Sequence, residues 1–347
     1  MDLLLGAGAN IWGKTNVPFH LTEWQSHNAI HGRTNNPWDL ERTPGGSSGG
    51  SAAAIATGMS AIEIGSDIGG SIRMPASYTG IVGHRPTWGI IPQGGHELPG
   101  WEGPLDINTV GPLLRTAGDV EMLLDVLVPH HRLMAPQFAS LGDVRVGVLM
   151  ENPYGPLDRA VDEAISAGLI ALEAAGLHVD RSAVPAVDTA RAFELYRGLE
   201  TGGDYAVANA DGGLTYWQWL QLNNERERHL RVWETFWLEF DFLLCPVSST
   251  AAPLHDTERP FEAQQILING EHFSTVSQWF WAGFSASCGF PSAAFPLPGE
   301  CRLDELPVGL QVIGPRYSDA AIARFGSLME EVFGPSPSPA MAQLSTG

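Results

Sequence analysis

Apolar and polar positions along the chain fall into short blocks whose period changes repeatedly. The run 61–65 (AIEIG) has the length of a buried strand, and 66–71 (SDIGGS) behind it is a glycine-rich turn. Residues 52–58 (AAAIATG) predict a helix of small residues with Gly58 as its C-cap, and 73–80 (RMPASYTG) predict a short helix. An extended stretch follows at 81–92. Farther on the pattern predicts a helix over 119–128, a strand over 144–150 (VRVGVLM), an amphipathic helix over 158–175 stopped by Gly176, and a strand over 177–180. A helical region rich in Trp and charge occupies about 188–240, and 241–247 (DFLLCPV) is a buried strand. Short apolar strands with Pro and Gly turns fill 284–314, and a last helix covers 319–332. This β-α-β rhythm predicts an α/β protein, a sheet covered by helices. Neither an internal repeat nor a linker interrupts it, so one domain is expected over 1–334, with a disordered Pro/Ser tail over 335–347.

Composition narrows the class. Hydrophobic residues make up 44% of 347, enough for a large core, and charged residues only 17%, too few for a coiled coil or a disordered chain. The formal net charge of -20 repels phosphate backbones and anionic lipid, so neither nucleic acid nor a membrane is expected as a partner. Cys245, Cys288 and Cys301 are odd in number and lack metal spacing, which predicts a reduced, cytoplasmic setting. The start has no basic signal-peptide region, and no stretch reaches the roughly 18 apolar residues of a membrane helix. Only one lysine occurs, Lys14.

Three motifs carry chemistry. Residues 8–15 (GANIWGKT) match the phosphate-binding pattern GxxxxGK[ST], but only seven residues precede Gly8 and Pro18 closely follows, leaving no room for the flanking strand and helix. Residues 45–51 (GGSSGGS) look like a flexible linker, and formally like a G-x-S-x-G elbow with Ser48 as nucleophile. Yet ERTP rather than a strand precedes them, and an apolar helix follows. Residues 66–73 (SDIGGSIR) place Ser71 after a strand and a tight glycine turn whose N–H groups can converge on developing negative charge. Two such turns, 24 positions apart (71 minus 47) and joined by one helix and one strand, point to a serine nucleophile.

The stretch 45–92 resembles the amidase signature family nearly throughout. Residues 7–16 and 35–46 resemble its lead-in, and 241–253, 288–298 and 306–315 its C-terminal sheet. The resemblance implies a mixed β-sheet core covered by helices on both faces, and amide hydrolysis to acid plus ammonia or amine by a serine–serine–lysine triad without metal or cofactor. Ser71 is then the nucleophile and Ser47 the bridging serine on a cis peptide bond. Ile68, Gly69 and Gly70, with Ser71 itself, supply oxyanion N–H groups, and Ser48, Asp67 and Arg73 support the loops. The family's lysine base lies upstream of the lead-in, whereas this chain begins inside it and Lys14 matches a different lysine. This predicts an N-terminally incomplete member rather than a lysine-free paralogue, with impaired activity.

The remaining features are ambiguous. The histidines show no HExxH or paired Cys/His spacing, and His130 and His131 read as a solvated turn. The charged run near 223–231 reads as a solvated helix face. Aromatic clusters at 278–284 (QWFWAGF) and 216–220 (YWQWL) line either an acyl pocket or the core. The partners to look for are a small-molecule amide substrate and a second copy of the chain in a homodimer. Competing functions are the A subunit of a tRNA-dependent amidotransferase, from which Met74 after Arg73 and the segment 96–112 set the chain apart, and a non-catalytic binding protein retaining the fold.

Overall fold

The computed structural model describes residues 1–96, 103–128, 133–203, 213–299, 306–336 and 338–339. His130, His131, Cys301 and most of the tail lie outside the described residues. The elements are α1 (Asp2–Gly6), β1 (His27–Asn28), β2 (Gly32–Arg33), α2 (Gly49–Ala56), β3 (Glu63–Asp67), α3 (Arg73–Thr79), β4 (Val82–Arg85), β5 (Thr109–Leu114) and α4 (Ala117–Leu127). They continue as β6 (Arg145–Val148), α5 (Arg159–Ala174), β7 (His178–Asp180), α6 (Thr189–Gly203), α7 (Tyr216–Trp237), β8 (Phe242–Pro246), β9 (Gln265–Ile268), β10 (Glu271–Ser274), α8 (Trp279–Ala286), β11 (Ser292–Pro296), β12 (Gly309–Ile313) and α9 (Asp319–Phe333).

Eight strands form one sheet of order β3-β5-β4-β11-β12-β8-β6-β7, with β3 and β7 at its margins. Pairing is antiparallel from β3 to β8, while β6 runs parallel to both β8 and β7, so the sheet is mixed. Strand side chains alternate between faces, and the two faces are both dry. Leu114, Phe242, Leu244, Ala293, Leu310 and Val312 join one cluster with Leu124 of α4, Ile165 of α5 and Phe325 of α9. The alternate residues pack oppositely: Leu243, Cys245 and Ile313 with Trp233 of α7 and Phe280 of α8, and Leu113 and Ala294 with Ile55 of α2, Ile72 just before α3 and Ala76 of α3. Helices therefore cover both faces, as the resemblance implied.

Helix starts follow side-chain caps. Thr116 Oγ1 accepts from the Asp119 N–H, Asp158 from the Ala160 N–H, and Thr215 forms a capping box with Gln218. The structure differs from the pattern at three places. Strand β5 was not foreseen, because Gly111 and Pro112 read as a turn; Gly111 is required there, since a Cβ would strike the His84 carbonyl oxygen. The 265–274 hairpin was also missed, although Asn269–Gly270 between alternating apolar residues is the signal that would have found it. The charged run of α7 is not a purely solvated face: Arg226 is buried, and its Nη2 donates to Asp106 Oδ2 at 2.7 Å. Among the described residues, no helix is long and apolar enough to cross a membrane.

Candidate active site

Strand β3 ends in Asp67, a fully buried carboxylate around which the following turn is organised. Its Oδ1 accepts from the Gly70 N–H at 2.8 Å and from Arg73 Nη2 at 2.8 Å; its Oδ2 accepts from the Ile72 N–H at 3.1 Å and Arg73 Nε at 3.0 Å. Burial alone would push this carboxyl up, but the charge and hydrogen bonds of Arg73, aided by Arg85, bring it down to about 2. Arg73, itself buried, also donates to the Ala282 carbonyl at 3.1 Å and to Ser285 Oγ at 2.9 Å, which fastens α3 to α8. Arg85 is lowered to about 10, first by burial and then by the like charge of Arg73. Asp67 and Arg73 therefore brace the turn.

The second turn lies against the first. Its Gly46–Ser47 peptide is cis, at the place the resemblance gave. Gly45 adopts φ +87, and a Cβ there would lie 2.8 Å from Pro75 Cα, so no other residue fits. Ser26, which no motif singled out, knits this loop: its Oγ donates to the carbonyls of Gly45 (3.2 Å) and Ser47 (3.1 Å) and accepts from the Gly49 N–H at 2.9 Å. Ser48 packs on β3, since a Cβ on Gly65 would fall 2.5 Å from its Oγ. That buried seat suits a supporting role and not an exposed elbow nucleophile.

The donor set is more restricted than expected. Gly70, at φ +98, gives its N–H to Asp67 and has none left for a ligand. Among the described residues no hydrogen bond engages the N–H groups of Ile68, Gly69 or Ser71, nor the hydroxyls of Ser47 and Ser71. Trp24 Nε1 donates to the Gly69 carbonyl at 3.2 Å and fixes that peptide from behind. Ser47 is buried and Ser71 half-buried. No ionisable side chain among the described residues hydrogen-bonds either hydroxyl, and Lys14 is exposed. No α-helix opens directly after the 8–15 motif either, only a single 3₁₀ turn at Phe19–Leu21, and Thr15 Oγ1 lies 2.7 Å from Ser51 Oγ.

The aromatic clusters divide. Phe280 and Trp281 are core, Trp281 Nε1 donating to Ser249 Oγ at 3.0 Å. Trp279 instead reaches the donor turn, its Nε1 lying 3.7 Å from where a Gly69 Cβ would be. Tyr216 and Trp217 are exposed and line neither core nor site.

A family model described as Amidase matches residues 1–223 and 206–322. The A subunit of the glutamyl-tRNA(Gln) amidotransferase of Symbiobacterium thermophilum is 37% identical over 378 residues, covering 96% of this chain and 75% of that protein. The same-named protein of Deinococcus radiodurans is 40% identical over 198 residues, 54% of this chain, and the match spans only 40% of that protein. A solved structure described as an amidase superposes with a TM-score of 0.78 at 26% identity, covering 96% of this chain and 77% of that one. These relatives correct one expectation. The net charge of -20 was taken to exclude nucleic acid, yet the similar proteins belong to enzymes named for a tRNA. Net charge is a sum over the whole surface and does not decide what one face, or one member of a complex, works beside.

Proposed function

The chain belongs to the amidase family, and we propose that it cleaves a carboxamide through an ester on Ser71, in the manner of the A subunit of a glutamyl-tRNA(Gln) amidotransferase. Ser71 Oγ attacks the amide carbonyl, its proton passes by way of Ser47 to the departing nitrogen, and ammonia leaves the acyl-enzyme. The ester is then opened by water to give the acid. The observation that carries this reading is the set of unused N–H groups on Ile68, Gly69 and Ser71 beside an unbonded Ser71 hydroxyl. Such fixed donors stabilise the oxyanion of the tetrahedral intermediate.

The amidotransferase reading is preferred to a stand-alone amidase because the relatives at 37% and 40% identity carry that name. Met74, which seemed to argue otherwise, is fully buried against Trp24 and Tyr78. Its identity reports packing beneath the turn and not the choice of substrate. The proton's first acceptor is the weak point of the described residues, since neither serine hydroxyl touches a base. The chain alone is therefore proposed to acylate slowly.

A fluorophosphonate probe followed by intact-mass spectrometry tests the reading. One phosphonyl adduct is expected on the chain and none on Ser71→Ala. Ammonia release from glutamine, with and without glutamyl-tRNA present, then separates the amidotransferase from a plain hydrolase. A chain that takes no adduct even at pH 9 is a binding protein and the proposal fails.

A further inference from the structure

Tyr196 of α6 is fully buried, and its hydroxyl has no hydrogen-bond partner. That hydroxyl abuts Gly69: a Cβ built on Gly69 would overlap the phenol oxygen. Its ring rests on α8, where a Cβ on Gly283 would run into the ring. Two glycines thus make room for one tyrosine, the first under its hydroxyl and the second under its ring. Trp279 stands between the parts of this arrangement, edge-to-face with Tyr196 (centroids 6.4 Å, 83°) and with Trp24 (6.2 Å, 78°). Trp24 in turn holds the Gly69 carbonyl. Gly69 is gripped on its carbonyl by Trp24 and on its Cα by Tyr196, through a run of three rings drawn from the lead-in loop, α8 and α6.

We propose that Tyr196 is a positioning residue for the donor turn: together with Trp24 it clamps Gly69 so that the Gly69 N–H faces the carbonyl attacked by Ser71. The proposal rests on the amide-cleaving reading for its chemical consequence, though not for its geometry. A glycine followed by a second glycine has wide conformational freedom, and an oxyanion donor works only when fixed in direction before the charge develops. Tyr196 acts by contact and not by a hydrogen bond, so removing one oxygen atom is enough to loosen the grip.

The test uses the full chain with glycine-selective ¹⁵N labelling. In Tyr196→Phe the Gly69 amide resonance is expected to move while Gly176, remote from the turn, stays in place. Phosphonylation of Ser71 by the probe is expected to slow by about 10- to 100-fold, with KM for an amide or ester substrate nearly unchanged and kcat reduced. Gly69→Ala alone should be destabilised and slow. Gly69→Ala/Tyr196→Phe should regain both unfolding midpoint and phosphonylation rate, because the deleted oxygen vacates the space the new methyl needs. A stationary Gly69 amide, or strictly additive effects in this double-mutant cycle, overturns the clamp. So does an unchanged phosphonylation rate in Tyr196→Phe. If the unsubstituted chain takes no probe at all, the amide-cleaving reading fails separately, and the amide resonance and the unfolding cycle still decide the clamp.

Discussion

The backbone N–H of Ser48 donates to the carbonyl of Ser71 at 3.2 Å. Two turns that are 24 positions apart in the chain (71 minus 47) are thereby one body. A displacement of either moves both serines, and in the proposed reaction this lets Ser47 serve Ser71 without sharing a loop with it.

Substitutions at the serines should separate their duties. Ser71→Ala is expected to abolish fluorophosphonate labelling, and Ser47→Ala to slow it by about 10²-fold or more while leaving the adduct on Ser71. Since no base among the described residues hydrogen-bonds either hydroxyl, the labelling rate of the unsubstituted chain should climb roughly tenfold per pH unit through neutrality. Rates measured from pH 6 to 10 check this. A plateau near pH 7 would mean that an ionisable group of ordinary pKa reaches Ser47.

Asp67 should report on acid stability. Its folded-state value of about 2 lies below its ordinary 3.8. A depressed carboxyl contributes stability that is present above the unfolded value and lost as pH falls through the folded one. Urea unfolding should therefore become easier between pH 4 and 2, and Asp67→Asn should flatten that slope. Asp67→Ala leaves Arg73 and Arg85 buried without their carboxylate and is expected to destabilise by about 3–5 kcal/mol.

The buried thiols predict the alkaline limb. Burial pushes Cys245 up to about 12 and Cys288 up to about 11, from 9.0. Both are then protonated in the folded chain while the unfolded chain ionises, so stability is full below pH 9 and declines from there toward pH 12. Unfolding midpoints between pH 8 and 11 check the decline, which Cys245→Ala/Cys288→Ala should reduce. In the native chain neither thiol should react with a disulfide reagent at pH 8.

Gly326 sets two effects against each other. Alanine in mid-helix is favoured over glycine by about 1 kcal/mol. In α9, however, a Cβ at 326 would overlap the ring of Phe295 on β11. Overpacking of a dense core costs about 1–3 kcal/mol, so Gly326→Ala is expected to lower the melting temperature. An increase would show that Phe295 can turn aside.

The candidate segment was legible because its residue types and its local structure coincide. An apolar run, glycines where the chain must turn, and a serine at the turn's end all lie within a dozen residues. What stayed hidden depends on partners distant in the chain. Ser26 binds the Ser47 loop from more than twenty positions away and looks like any loop serine. Strand β5 contains Gly111 and Pro112, which propensity assigns to a turn, and pairing on both sides by β3 and β4 overrides it. The donor role given to Gly70 came with the resemblance. Only the folded turn shows that Asp67 takes its N–H. Tyr196 gave no signal at all, because an aromatic on an amphipathic helix is ordinary until the residue under its hydroxyl proves to be Gly69.

Among the described residues strand β3 pairs on one side only, with β5, so the turn that bears Ser71 hangs from the outermost rail of the described sheet. Margins fray before centres do. On gradual heating the chemistry should therefore fade several degrees before the tryptophan fluorescence of the interior reports any melting. Over that interval the molecule would be compact, reversible on cooling, and inert.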